Sequence, residues 1–297
     1  MEYKTPAALE MAVKAAAVAS PLDTNRAIAG FYYHRLLCRV FSEHPSVFVL
    51  KGGMSMLART VDARTTRDID LVTSELDIEA AINELRKYAA IDLGDFIAFR
   101  YESFEPIKLE DNYRNGFKVT FTPLLGGKQM QAISVDLVAD NVGCIGTELV
   151  HPVDRLPIKG LVEFDYVVYR TEEAITDKVF GIIEGHNGRP SSRVKDLVDL
   201  AVYLTTEVFD GSKLFESLRR EMRIHKATIN EFAVPDMWRR EYRATYTKLA
   251  GKTGLAQQWH DMAQAELLVK KCIDPVLVGT AAGKTWNPDT LTWEVSV

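Results

Sequence analysis

The chain has 297 residues, of which 47% are hydrophobic and 26% charged, values typical of a folded globular protein. Its formal net charge of -5 argues against a wholly basic nucleic-acid binder. No stretch approaches the roughly 20 apolar residues of a membrane-spanning helix, and Cys38, Cys144 and Cys272 lack the spacing of a zinc site. Sparse, odd-numbered cysteines fit a reducing compartment, so we expect a cytoplasmic protein.

The charge is unevenly distributed along the chain. Residues 211–271 contain 12 Lys and Arg against 7 Asp and Glu, so this region carries +5 and the remainder -10. A basic region of this kind is compatible with an RNA or another anionic partner, and equally with a solvated helix surface.

The first part of the chain predicts a mixture of helices and strands. A second helix is expected to begin at Asp23 or Thr24, which are good capping residues. The Asn115-Gly116 and Gly126-Gly127 pairs predict turns on either side of one strand. The predicted helices cover 7–19, 20–41, 54–60 and 77–89, and the predicted strands cover 46–51, 68–73, 96–104, 117–125 and 132–140.

After about Arg170 the pattern becomes helical. One helix is predicted from Thr171, as its cap, with Glu172 and Glu173 in the first turn, where the helix dipole favours acidic side chains. Another is predicted over 191–204, and further helical segments follow. We therefore predict an α/β (α+β) fold with a small mixed sheet and a helical C-terminal region, in two domains that cover 1–160 and 161–297.

Two aspartates interrupt the second predicted strand. Residues two apart in a strand point to the same side, so Asp68 and Asp70 share one face while Ile69 and Leu71 can enter the core. Adjacent carboxylates repel one another, and a divalent cation would remove that repulsion. Oxygen ligands suit Mg²⁺ or Mn²⁺, and Asp136, which interrupts another apolar strand, is the candidate third ligand.

A glycine pair precedes these aspartates. Gly52 and Gly53 allow the backbone to approach a phosphate, the following helix presents free N–H groups, and Ser55 adds a hydroxyl. A strand, a Gly-Gly-x-Ser turn, two alternating aspartates and a distal aspartate together predict a nucleoside-triphosphate site of the two-metal kind.

These segments resemble the nucleotidyltransferase superfamily of polymerase-β type. The resemblance rests on LKGGMSML at 50–57, ARTTRDIDL at 63–71 and ISVDLV at 133–138, and the segment YRTEEAITDKVFGIIEGHNGRPSSRVKDLVDL at 169–200 is similar to the AbiEii/AbiGii toxin branch. It covers about 48–204 and implies a polymerase-β-like core. One departure is Thr66, where some members have a serine whose modification regulates them.

The resemblance also implies residue roles. Asp68, Asp70 and Asp136 would hold the metal ions, and Asp136 would activate the attacking hydroxyl. Lys178 and Asp196 match the downstream Lys and Asp of the family. The remaining implied residues are Gly52, Gly53 and Ser55 at the triphosphate, Arg64 and Thr66 beside the Asp68–Asp70 strand, and Arg193 and Lys195 beside Asp196.

Helical spacing leaves other roles open for the downstream residues. Lys178 lies at the edge of an apolar stripe, where it can neutralise phosphate or simply extend its ammonium to solvent. Asp199 lies on the polar side and can pair with Lys195 at i,i+4, as a solvated ion pair. In the segment 237–248, Trp238, Tyr242 and Tyr246 follow helical spacing and are expected in the core, with the arginines outside, where they can still contact an RNA backbone.

The resemblance implies a toxin of a type IV toxin–antitoxin or abortive-infection system. Such an enzyme transfers NMP from an NTP to the 3′ acceptor end of tRNA, releases pyrophosphate and blocks translation, and a cognate antitoxin from the same operon restrains it. Two alternatives remain open from the residues: a nucleotidyltransferase that modifies a protein or a small molecule such as an aminoglycoside, and a non-catalytic module that binds NTP or RNA.

Overall fold

The computed structural model describes residues 3–43, 46–66, 68–75, 77–107, 115–139, 146–185 and 189–295. The chain forms two compact units. The first comprises Met1–Arg59 and Thr65–Val168, and the second comprises Thr60–Arg64 and Tyr169–Val297. No helix within the described ranges is both long and apolar enough to cross a membrane.

The first unit combines helices with one mixed sheet. Its helices are α1 (Pro6–Ala19), α2 (Thr24–Val40), α3 (Gly52–Arg59) and α4 (Ile78–Ala89). Its strands are β1 (Phe48–Lys51), β2 (Ile69–Thr73), β3 (Ile97–Ile107), β4 (Asn115–Leu125), β5 (Lys128–Gln129), β6 (Ile133–Ala139), β7 (Thr147–Val150) and β8 (Tyr166–Tyr169), the last of which ends at the unit boundary.

The strand order in this sheet is β3-β4-β6-β2-β1-β8-β7, with β5 paired to β4. The pairs β1–β2 and β4–β6 are antiparallel, whereas β2–β6 and β1–β8 are parallel. The order brings β6 beside β2 although three strands separate them in the chain. This architecture confirms the predicted α/β fold with a mixed sheet.

One face of the central strands is apolar and forms the core. Leu50, Leu71 and Leu137 are completely buried and belong to one cluster with Phe31 of α2 and Leu85 of α4. Burying a side chain of this size contributes about 1.5–3 kcal/mol. Because side chains alternate along a strand, the polar residues between these apolar ones project from the opposite face.

The structure confirms one predicted cap and one predicted turn and corrects two others. Asp23 caps α2 by accepting a hydrogen bond from the Arg26 N–H, and Gly126 and Gly127 make a two-residue turn with positive φ. Thr171 is the first residue of its helix rather than its cap, because Arg170 occupies the cap position without a side-chain bond. The Asn115-Gly116 pair is not a turn, because it lies in β4 and pairs with Ala139 and Val138.

The second unit is mainly helical. Its helices are α5 (Thr171–Ile183), α6 (Val194–Thr206), α7 (Gly211–Ile224), α8 (Trp238–Glu241), α9 (Arg243–Ala250) and α10 (Met262–Leu277), with a 3₁₀ turn at Gln257–His260. Three short strands, β9 (Phe209–Asp210), β10 (Lys284–Asn287) and β11 (Thr292–Val295), form a sheet of order β11-β10-β9.

Buried tryptophans connect the elements of this unit. Trp238 is fully buried and its Nε1–H donates to the Ser191 carbonyl at 2.6 Å, and Tyr246 is also fully buried. The neighbouring Arg239 and Arg240 are exposed, which confirms the exposed arginines and the core positions of Trp238 and Tyr246, whereas Tyr242, also expected in the core, is only half-buried. Trp286 of β10 is equally buried, and no prediction covered its hairpin.

Candidate active site

The two aspartates of the central strands lie side by side. Asp70 on β2 is in direct register with Asp136 on the parallel strand β6, and both are half-buried. Asp68 immediately precedes β2 and accepts a hydrogen bond from the Thr66 hydroxyl at 2.7 Å. The register therefore brings together two carboxylates that are distant in sequence, and the chain direction places Asp68 next to them.

The glycine pair is packed against these side chains. Gly52 has φ of +65°, and a Cβ on it would lie 1.9 Å from Asp70 Oδ2. A Cβ on Gly53 would lie 2.8 Å from the Thr66 Cβ. Both distances are below the 3.0 Å that non-bonded Cβ contacts keep, so a larger residue at either position would force Asp70 or Thr66 to shift.

Ser55 is oriented toward its own helix. It is buried, and its hydroxyl donates to the Gly52 carbonyl at 2.9 Å. This bond stabilises the start of α3 directly after the Gly52 turn. The N-terminus of α3, with its free N–H groups, lies at the end of β1 beside Asp70.

The donor set fits a hard divalent cation. Asp70 and Asp136 supply neighbouring carboxylate oxygens, which are the ligands that Mg²⁺ and Mn²⁺ prefer. In the described part of the chain, however, no three His, Cys, Asp or Glu side chains are grouped closely enough to hold a metal ion together. The fold itself therefore provides one part of the expected metal site, the Asp70–Asp136 register pair.

Two lysines that the sequence analysis did not select flank this pair. Lys51 on β1 is in register with Asp70, and Lys118 on β4 is in register with Asp136. Both are half-buried. The alternation of Lys118 and Thr120 with the buried Val119 and Phe121 was a usable signal that Lys118 lies on the polar face.

The second unit holds the other expected residues in a separate buried network. Lys178 of α5 donates to Asp199 Oδ2 at 2.6 Å and lies 3.6 Å from Asp196 Oδ1. Arg64 forms a two-bond pair with Asp199, at 2.8 and 3.0 Å, and Arg193 Nε contacts Asp196 Oδ2 at 2.6 Å. Both carboxylates are 1% exposed, so each buried charge is matched by an opposite one.

This network corrects the expectation for Asp199. Asp199 is not a solvated partner of Lys195, because it is buried and paired with Lys178 and Arg64, while Lys195 is exposed. Lys178 likewise does not extend to solvent. Helical spacing predicted that the polar side of α6 is exposed to solvent. This was wrong because other elements pack against α6 on several sides, so its polar stripe is also buried.

Burial and charge act in opposite directions on this network. Burial alone would raise the pKa of the Asp199 carboxyl, but the charges of Lys178 and Arg64 outweigh it and hold that pKa below its usual range. For Lys178 burial lowers the pKa, and the two aspartates more than compensate, so its pKa is raised. Lys178 therefore remains a cation.

Comparisons with known proteins identify the family and the fold. The sequence model of the nucleotidyl transferase AbiEii toxin, type IV TA system, matches residues 35–265. Among solved structures, the chain is similar to MenT4, a nucleotidyltransferase toxin from Mycobacterium tuberculosis, with a TM-score of 0.56 and 16% identity over 93% of this chain and 90% of that one. It also matches JHP933 from Helicobacter pylori, with a TM-score of 0.48 and 13% identity over 85% of this chain and 95% of the other.

No curated protein sequence matches the chain. The likeness to MenT4 shows a shared fold, and the family match extends over most of the residues described above. The match includes the glycine pair, the three aspartates and the Lys178 network. The chain belongs to the AbiEii family of nucleotidyltransferase toxins of type IV toxin–antitoxin systems.

Proposed function

We propose that this nucleotidyltransferase transfers NMP from an NTP to an RNA hydroxyl, at the 3′ acceptor end of tRNA, and thereby blocks translation. The observation that carries the proposal is the Asp70–Asp136 register pair beside the Gly52 turn, in a chain of the AbiEii family. The excess of basic residues over 211–271 supports a large anionic acceptor.

In this proposal Asp68, Asp70 and Asp136 would hold Mg²⁺ or Mn²⁺, which when bound would supply positive charge for the triphosphate and for the charge that develops on the leaving group. Gly52, Gly53 and the N-terminus of α3 bind phosphate oxygens through backbone N–H groups. Ser55 supports this turn through its bond to the Gly52 carbonyl.

The reaction is a displacement at the α-phosphorus. The acceptor hydroxyl loses its proton to the Asp136 carboxylate, its oxygen forms the new bond to the α-phosphorus, and the bond to the β-phosphate oxygen breaks. Pyrophosphate leaves with the electron pair of that bond. Asp136 suits the role of base because it lies beside Asp70 on the next strand, facing the same side of the sheet.

The resemblance also implies participation of Lys178, Asp196, Arg193 and Lys195, and of Arg64 and Thr66 beside the Asp68–Asp70 strand. We propose that Thr66 orients Asp68 through its 2.7 Å hydrogen bond. For Lys178, Asp196 and Arg64, the contacts favour a structural role within the second unit, in the network with Asp199. Arg193 and Lys195 are both exposed; Arg193 is ion-paired with Asp196, and we propose that Lys195 contacts phosphate.

The family further implies a cognate antitoxin from the same operon, and we propose that the toxin acts in the cytoplasm. In a cell, the toxic effect would require the same carboxylates as the transfer reaction. Expression of the Asp68→Ala variant should therefore leave growth unaffected, whereas the unaltered toxin without antitoxin should stop it.

The decisive experiment incubates the purified protein with total tRNA, Mg²⁺ and each α-³²P-labelled NTP in turn, beside the Asp68→Ala variant. A labelled tRNA band that the variant lacks would establish the transfer and name the nucleotide. A labelled protein band or a labelled aminoglycoside in its place would favour another acceptor. NTP binding without transfer to any acceptor would favour a non-catalytic binding module.

A further inference from the structure

A row of alternating charges crosses the sheet of the first unit. Lys51 is in register with Asp70, Asp70 with Asp136, and Asp136 with Lys118. Residues directly opposite on neighbouring strands project to the same face, with Cβ atoms about 4.5–5.5 Å apart. A lysine therefore stands on each side of the carboxylate pair.

Neither lysine is engaged elsewhere in the described structure. Among the residues that the structure describes, neither ammonium group has a hydrogen-bond or ion-pair partner. Both side chains are half-buried on a face that carries Asp70, Asp136 and Thr120 beside them, with the buried Val72 and Val138 farther along the strands. Two cations held by the strands in this way are suited to bind an anion that arrives from solution.

The proposed reaction needs such cations. A nucleoside triphosphate carries about four negative charges, which two divalent ions roughly offset, and the three aspartates then leave a net negative charge of about three at the site. A phosphodiester of an RNA acceptor adds further negative charge. Fixed positive charges beside the carboxylates would reduce this excess before either substrate arrives.

The two lysines differ in their neighbours. Lys51 immediately precedes Gly52 and the N-terminus of α3, where the phosphates of the nucleotide are expected. Lys118 lies beside Asp136, the proposed base for the acceptor hydroxyl. Resting on the proposed function, we propose that Lys51 binds the nucleotide phosphates and that Lys118 binds the backbone phosphate of the RNA acceptor.

A purely structural role for Lys118 makes different predictions. Glu105 of β3 is in register with Lys118 on its other side and is exposed. An opposite-charge pair across two strands contributes about 0.2–1 kcal/mol to stability. If that pairing were the role of Lys118, Glu105→Gln and Lys118→Gln would have equal effects on stability, and neither would change substrate binding.

The test compares Lys51→Gln and Lys118→Gln with Lys159→Gln, an exposed lysine of the same unit. Equilibrium dialysis with Mg²⁺ and the α,β-methylene analogue of each NTP gives the nucleotide Kd, and filter binding gives the Kd for total tRNA. Lys51→Gln should weaken analogue binding about tenfold and leave tRNA binding within about twofold. Lys118→Gln should weaken tRNA binding about tenfold and leave analogue binding within about twofold. It should also reduce the slope of log K against log salt concentration for tRNA by about the contribution of one phosphate contact.

Arginine at either position should restore most of the lost affinity, because it keeps the charge. The proposal is overturned if both variants bind both ligands as Lys159→Gln does, or if Glu105→Gln reproduces the Lys118→Gln effect. Neither binding assay requires turnover. If the unaltered enzyme failed to label tRNA, that result would contradict the proposed reaction, and the two Kd measurements could still be interpreted on their own. Absence of tRNA binding by the unaltered enzyme would overturn the Lys118 assignment.

Discussion

Gly52 and Asp70 form a single packing unit. The Asp70 carboxylate occupies the space in which a Gly52 side chain would begin, since a Cβ there would lie 1.9 Å from Oδ2. The φ of +65° at Gly52 is also unfavourable for other residues. The glycine motif and the aspartate motif, separate in the sequence, are therefore parts of the same site.

Gly52→Ala should abolish nucleotidyl transfer and destabilise the protein. The positive φ costs about 1–2 kcal/mol, and the overlap with Asp70 adds about 1–3 kcal/mol. Gly94→Ala is the matched control, because Gly94 has φ of +66° and open space around it. Urea unfolding and tRNA labelling would measure both effects. If both variants lost the same amount of stability and both retained activity, the steric contact between a side chain at position 52 and Asp70 would be contradicted.

Asp70→Asn should separate stability from activity. Removing one of two adjacent carboxylates relieves their repulsion but also removes the charge opposite Lys51, so the free energy of unfolding without Mg²⁺ should change by less than about 1 kcal/mol. Transfer should fall by at least about 100-fold, and the increase in Tm on adding Mg²⁺ should disappear. Differential scanning fluorimetry with and without Mg²⁺ checks this. A Tm that still rises with Mg²⁺ would place the cation elsewhere.

Lys178→Met should destabilise the second unit by about 3–5 kcal/mol, because it leaves Asp196 and Asp199 buried without the central cation. Adding Asp199→Asn should recover part of this loss, since one unmatched charge is removed. Urea unfolding of the single and double variants gives the coupling free energy. Strict additivity would show that Lys178 and Asp199 do not interact.

A second buried network predicts acid sensitivity in the first unit. Asp95 is buried, and Arg35 and Arg39 each bond to it at 2.7 Å. Burial favours the neutral carboxyl, but the two guanidinium groups outweigh it and lower the pKa of Asp95 below 3.8. The stabilisation is present above the unfolded pKa of 3.8 and is lost as pH falls through the folded pKa.

Asp95→Asn should therefore be less stable at pH 7 by about 3–5 kcal/mol and should lose less stability than the unaltered protein below pH 3.8. The free energy of unfolding, measured by urea titration at several pH values between neutral and acid, checks this. If the free energy of unfolding of both proteins falls equally steeply as the pH is lowered, the acid sensitivity belongs to other carboxyl groups.

Some features were determined by local sequence. The alternation of Asp68, Ile69, Asp70 and Leu71 sets which residues face the core, because strand geometry imposes a period of two. Asp23 begins α2 because its side chain accepts a backbone N–H. The buried Trp238 and Tyr246 followed from helical spacing in the same way.

Other features were decided only by packing. The register of β2 with β6 and of β6 with β4 places Lys118 beside Asp136, and no local pattern specifies which strands become neighbours. The pattern of its own helix predicts that Asp199 lies on the surface. It is buried instead, and two cations from distant segments, Lys178 and Arg64, stabilise its charge there. Periodicity along the chain determines which way a side chain points, whereas long-range pairing determines what it meets, because such contacts depend on the three-dimensional arrangement of whole elements.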